Sequence, residues 1–151
     1  MKTQDRRRNM KTLLALLIAL LVQLVVYNAR AQADGKNAPT GTPATSVKNV
    51  DASEAAKLLG ENKKIVVLDV RTPEEFAAGH IAGATNINFN GPKFKEQVAA
   101  LDKSKPYLVH CAAGGRSAKA REILKELQFQ SIYHLDGGLK AWEKAGKPVV
   151  R

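Results

Sequence analysis

From about Val47 to the C-terminus, short apolar runs alternate with stretches of helical periodicity, and that alternation leaves few architectures open. Ser46–Val50 reads as a short strand. Asp51, with Glu54 three residues on, gives a capping-box-like start to a helix whose Ala55, Leu58 and Leu59 share a face and whose stop is Gly60. Ile65–Leu68 is a continuous apolar run, as expected of a strand buried on both faces. Thr72, Pro73 and Glu75 supply an N-cap, a first-turn proline and a capping-box acid for the next helix. Asn86–Phe89 predicts a short strand, and Phe94, Val98 and Leu101 predict a helical face. Pro106–His110 predicts a strand with proline at its first position, where a missing N–H is tolerated. Ser117–Gln128 predicts an amphipathic helix with Ala120, Ile123, Leu124 and Leu127 inward. Ile132–Leu135 predicts a strand and Gly138–Ala145 a last helix, stopped by Gly146 and Pro148. Alternating strands and helices imply βαβ units, hence an α/β domain with a central parallel sheet covered on both faces. Ligand sites in such sheets lie beyond the C-terminal ends of the strands.

The first 31 residues have a different character. Lys2, Arg6, Arg7, Arg8 and Lys11 precede an apolar run from Leu13 to Tyr27, broken only by Gln23. Ala29-Arg30-Ala31 and Ala31-Gln32-Ala33 follow at signal-peptidase spacing, so residues 1–31 read as an export signal cleaved after Ala31 or Ala33. An uncleaved segment would instead tie the chain to a membrane, but the run is shorter than the roughly 20 residues that span a bilayer. Residues 32–46, rich in Gly, Pro and Thr, read as a flexible linker, and residues 47–151 as the folded domain. The signal segment carries half of the net charge of +10, so the remainder is only modestly basic. It has no basic patch interleaved with aromatics, and nucleic acid is not an expected partner. The expected address is periplasmic or secreted.

An exported chain enters an oxidising compartment, where one cysteine has no partner within its own chain. Cys111 is the only cysteine, which excludes an internal disulfide framework and a multi-cysteine metal site. Its position is informative. It follows the strand Pro106–His110 at the functional edge of the expected sheet. The next residues are Ala112, Ala113, Gly114, Gly115 and Arg116, and then Ser117 opens a helix. Small residues let the backbone curl and aim N–H groups inward, and Gly114 and Gly115 can adopt positive φ at little cost. Inward amides and a helix N-terminus make an anion cradle that lowers a thiol's pKa. Arg116 adds a planar cationic fork. The array predicts a nucleophilic thiolate facing an anionic substrate.

Four segments, taken together and in order, resemble a single rhodanese domain, a sulfurtransferase module. They are L-D-V-R-T-P-E-E-F at 68–76, G-H-I-A-G-A-T-N-I at 79–87, C-A-A-G-G-R-S at 111–117 and L-D-G-G-L-K-A-W at 135–142. The resemblance implies a three-layer α/β/α domain and a ping-pong reaction. Cys111 would attack the outer sulfur of thiosulfate or a similar small anionic donor, release sulfite, and hold a persulfide for cyanide or a thiol to discharge. It implies no metal and no organic cofactor. Cysteine phosphatases and arsenate reductases share the His110-Cys111 and Arg116-Ser117 outline. They place five residues between Cys and Arg, whereas four stand here, and the smaller ring suits a sulfur atom better than a tetrahedral oxyanion. A non-enzymatic sulfur-binding or partner-docking module would use the same cradle without turnover.

The remaining candidates divide between support and chemistry. Asp69 is expected to pair with Arg116 or cap the loop, a structural role shared with Ser117. Arg71 either binds anionic substrate at the sheet edge or forms a surface ion pair. His80 is expected to make a structural hydrogen bond, His110 need not reach the substrate, and His134 marks a strand end. The three show no metal-ligand spacing. Leu139 and Trp142 read as core, and Lys119 and Arg121 as a solvated helix face.

Overall fold

The computed structural model describes residues 44–151, so the expected signal segment and most of the linker lie outside the described residues. The elements in chain order are β1 Ser46–Val50, α1 Ala52–Glu61, β2 Val66–Asp69, α2 Pro73–Ala78, β3 Thr85–Asn86, α3 Phe94–Ala99, β4 Pro106–His110, α4 Gly115–Glu126, β5 Ser131–Leu135 and α5 Gly138–Lys144. Local chemistry sets the helix starts. Asp51 caps α1 by accepting from the Ser53 and Glu54 amides, both at 2.8 Å. Thr72 and Glu75 form a reciprocal capping box at α2, with Pro73 in its first turn.

The five strands form one parallel sheet in the order β1-β5-β4-β2-β3. Alternating side chains feed two apolar layers. Leu68, Tyr107, Val109 and Ile132 pack with Phe94, Val98, Ala120 and Leu124 on one face, which α3 and α4 cover. Val50, Val67, Leu108 and Leu135 pack with Ala52, Ala55, Leu139 and Trp142 on the other, covered by α1 and α5. The result is the expected α/β/α arrangement, with Leu139 and Trp142 in the core. Among the described residues no helix is long and apolar enough to cross a membrane.

Several boundaries differ from the sequence expectation. Ile65 donates its amide to Asn62 O in a turn, and the strand runs instead from Val66 to Asp69, which is in register with His110 and Asn86. β3 ends at Asn86 rather than spanning Asn86–Phe89. Helix α1 continues through Gly60 to Glu61, because Gly60 keeps a helical rather than left-handed backbone. Helix α4 begins two residues before Ser117, because Gly114 turns the chain at φ +97° and leaves Gly115 and Arg116 helical. It also stops earlier, with Gln128 at φ +63°.

The strand order places the site. The chain leaves β2 toward the edge strand β3, but leaves β4 toward β5 on the other side. The loops after these neighbouring strands therefore diverge and open a crevice beyond their C-terminal ends. Arg71 lies in one loop and Cys111 in the other.

Candidate active site

Cys111 is a free thiol directly after β4, and only 2% of its surface is exposed. Its sulfur accepts from the Gly114 amide at 3.1 Å and from the Ser117 hydroxyl at 3.4 Å. Burial pushes the thiol pKa up. The Ser117 hydroxyl and the amides of Ser117, Ala113 and Gly114 outweigh it, so the thiol titrates below its ordinary value. Gly114 is the N-cap of α4 and no side chain caps the first turn, which leaves amides free to face the sulfur. A 12-residue helix also presents its positive end there. Only Gly114 of the two loop glycines needs a positive φ.

The loop is clamped from outside. The amides of Leu139 and Lys140, at the start of α5, donate to Cys111 O at 2.8 Å and Ala112 O at 3.0 Å. This approach explains Gly138. A β-carbon there would lie 2.3 Å from Cys111 O, and its φ of +60° is itself disfavoured for other residues. The carbonyls of Cys111 and Ala112 thus turn away toward α5, while the Gly114 amide turns to the sulfur.

Arg116 does not pair with Asp69, as the sequence suggested. Its guanidinium makes a two-pronged contact with Glu75 of α2, Nη1 to Oε2 at 2.6 Å and Nη2 to Oε1 at 2.7 Å. A cation in the first turn of a helix is opposed by the helix dipole, and Glu75 offsets that. The pair holds the Glu75 carboxyl down at about 2, despite some burial. Glu75 was legible only as a capping residue; its second partner is 41 residues away.

Asp69 belongs to Arg71 instead. The Arg71 Nε and Nη2 reach the Asp69 carboxylate at 2.6 to 3.0 Å, and Nη2 also donates to Gly79 O at 2.7 Å. This is no surface ion pair, since the two side chains are 6% and 0% exposed. Asn86 braces the turn by donating to Asp69 O and Arg71 O. The engaged Arg71 still borders a cavity of about 210 Å³, shared with Glu75, Ala112, Lys140 and Glu143. His110 is fully buried against Asp69, Nε2 lying 3.6 Å from Oδ2, and burial pushes its pKa down. His80 bonds Phe76 O through Nδ1 and stacks on the Phe76 ring, the structural role expected of it.

His134 is more than the end of a strand. Its Nε2 is 3.0 Å from the Ser117 hydroxyl and its Nδ1 is 3.2 Å from Asp136 Oδ1. Asp136 lies in the turn just beyond β5, two residues from His134, so the H-x-D spacing was a usable signal for a local contact. The contact with Ser117 was not legible. Among the described residues no group of three His, Cys, Asp or Glu side chains is placed to hold a metal ion.

Comparison with known proteins identifies the family and the fold. The rhodanese-like domain family matches residues 51–145. Thiosulfate sulfurtransferase 16, chloroplastic, of Arabidopsis thaliana is 41% identical over 92 residues, covering 54% of this chain and 77% of that protein. Thiosulfate sulfurtransferase GlpE of Shewanella oneidensis is 32% identical over 101 residues, covering 67% and 97%. A crystal structure of a rhodanese-related protein from Thermoplasma volcanium superposes with a TM-score of 0.62 at 36% identity, covering 68% of this chain and 97% of that one.

Proposed function

This chain belongs to the family of rhodanese-like domains, and from that premise we propose that it is a sulfurtransferase in which Cys111 carries the transferred sulfur. The observation that carries the reading is the Cys111 sulfur itself, hydrogen-bonded by Gly114 N–H and Ser117 O–H at the open end of α4. These donors favour the thiolate, the reactive form of a cysteine. The donor is thiosulfate or a related small anion with a sulfane sulfur. The thiolate attacks that outer sulfur, a new S–S bond forms, and the donor's S–S bond breaks. Sulfite leaves with the bonding electron pair. Cyanide or a thiol then attacks the terminal sulfur of the persulfide, and the Cys111 thiolate is regenerated. The amides of Ala113, Gly114 and Ser117 stabilise negative charge on either sulfur without rearranging, because α5 holds the loop.

The four-residue spacing from Cys111 to Arg116 supports sulfur transfer over phosphoryl or arsenate chemistry. The decisive experiment is turnover of thiosulfate and cyanide to thiocyanate by the wild type and by Cys111→Ser, with intact mass after exposure to thiosulfate alone. The wild type gains the mass of one sulfur atom and loses it rapidly to cyanide, while the variant does neither. A retained sulfur that cyanide does not discharge identifies a binding module instead. Thiocyanate formation by Cys111→Ser would overturn the assignment of the nucleophile.

A further inference from the structure

Four side chains run in series from the candidate nucleophile to the rim of the sheet. The Ser117 hydroxyl stands 3.4 Å from Cys111 Sγ, His134 Nε2 stands 3.0 Å from that hydroxyl, and Asp136 Oδ1 stands 3.2 Å from His134 Nδ1. Cys111, Ser117 and His134 are all buried, whereas the Asp136 side chain is 56% exposed. The sulfur chemistry described above makes no use of His134 or Asp136.

The hydrogens in this series follow from the donor and acceptor inventory. An ionised carboxylate only accepts, so Asp136 fixes a hydrogen on His134 Nδ1. A neutral imidazole then presents a bare Nε2 lone pair to Ser117. With Cys111 protonated, the donors point one way: S–H to Ser117 Oγ, Oγ–H to His134 Nε2, and Nδ1–H to Asp136. Moving the thiol proton to Oγ while the serine proton moves to Nε2 yields a thiolate and an imidazolium. The donors nearest the sulfur then reverse, Nε2–H to Oγ and Oγ–H to the thiolate. Gly114 O, 3.0 Å from Ser117 Oγ and 3.3 Å from Nε2, is a second acceptor that either the hydroxyl or the imidazolium can use. Both arrangements satisfy every member of the series, so the proton can move without any side chain changing place.

We propose that His134, oriented by Asp136, is a positioning residue that takes the Cys111 proton through Ser117 and holds the thiolate as a charge-paired state. The proposal rests on the reading of Cys111 as the nucleophile. The groups around His134 are compatible with an imidazolium. On β1 the residue in register is Asn49, which accepts from Arg121 of α4, and on β4 it is the apolar Val109. Asp136 is the carboxylate in contact, and Arg121 is the cation held at Asn49. On its outer side Asp136 shares a surface recess with Asp51 and Lys144.

Because Cys111 is the only cysteine, iodoacetamide labelling of the full chain reports on it alone. The test is the labelling rate against pH for the wild type, His134→Gln, Ser117→Ala, Asp136→Asn and the Ser117→Ala/His134→Gln double variant, alongside thiocyanate turnover. Glutamine keeps a hydrogen bond to Ser117 but cannot accept the proton. The midpoint should rise by about one unit in His134→Gln and in Ser117→Ala, with labelling about tenfold slower at neutral pH and wild-type rates restored in alkali. Asp136→Asn should shift it less, in the same direction. The double variant should move no further than Ser117→Ala alone, since the residues act in series. A merely structural role would lower rates at every pH without moving the midpoint, and that result overturns the proposal. So does an additive double variant. If His134→Gln does not fold, the rim variant Asp136→Asn decides the question by the same midpoint, because Ser117→Ala moves it through the direct hydrogen bond to the sulfur in either case. Turnover in Cys111→Ser would instead remove the nucleophile reading, a failure distinct from an unmoved midpoint in an enzyme that still requires Cys111.

Discussion

Two ion pairs flank the crevice, and their burial makes them different in kind. Asp69 and Arg71 are buried at the strand ends, with the Asp69 carboxylate and the Gly79 carbonyl taking Nε and Nη2 of the guanidinium. Removing one partner of a buried pair leaves a charge without solvent or counterion. Asp69→Asn should therefore destabilise the domain by about 3–5 kcal/mol, read as a lower urea midpoint at unchanged slope. Glu75 and Arg116 are partly open, with side chains 34% and 25% exposed, so solvent screens their attraction. The Glu75 carboxyl titrates at about 2 when folded, below its ordinary value of 4.5. A depressed carboxyl stabilises the fold above its unfolded pKa and loses that contribution as the pH falls toward the folded one. The contribution, about 1 kcal/mol after screening, should vanish between pH 4.5 and about 2. Glu75→Gln should flatten that part of the melting-temperature profile while lowering stability at neutral pH.

At the scale of elements, the loop Cys111–Gly114 owes its shape to α5 as much as to its own sequence. The N-terminus of α5 takes two of the loop's carbonyls, and the close approach leaves no room for a β-carbon at Gly138. Gly138→Ala combines a left-handed backbone with a contact of 2.3 Å to Cys111 O. The two effects should cost about 2–4 kcal/mol. They should also tilt the loop amides off the sulfur, so that kcat falls more than stability alone explains. Comparing turnover and thiol labelling at a temperature where the variant remains folded checks this. The amphipathic pattern of α4 was plain from Ala120 and Leu124, yet its start was not. Gly115 and Arg116 looked like loop because glycine and a cation both disfavour a first turn, and Glu75 supplies the compensation from another helix.

For the molecule as a whole, parallel pairing turns separate segments of the chain into one site at the divergence of the β2 and β4 loops. The domain is one part of the exported reading. We propose that the chain is cut after Ala31 or Ala33 and that the mature form lies outside the cytoplasm. N-terminal sequencing of the protein from an envelope fraction should begin at Gln32 or Asp34. A start at Met1 in the cytoplasmic fraction would refute it. Much of the fold was legible because the apolar runs Val66–Leu68 and Tyr107–Val109 cannot sit elsewhere than between two layers. Short edge pieces such as β3 were less so, since Ile87 still donates to Asp69 O at the end of β2, and Phe89 to Val70 O just beyond it, without keeping ladder geometry.

What the sequence alone determined is the alternation of elements, the place of Cys111 between a buried strand and a helix, and the small residues that let its amides converge. These follow from side-chain period, steric size and backbone freedom, which are local properties. Which charge meets which was decided only by the tertiary structure. Arg116 finds Glu75, Arg71 finds Asp69, and His134 reaches the sulfur through Ser117, across separations of up to 41 residues. Long flexible cations carry no mark of their partner in the chain, and only the parallel sheet sets the ends of β2, β4 and β5 side by side so that the partners come within hydrogen-bond distance.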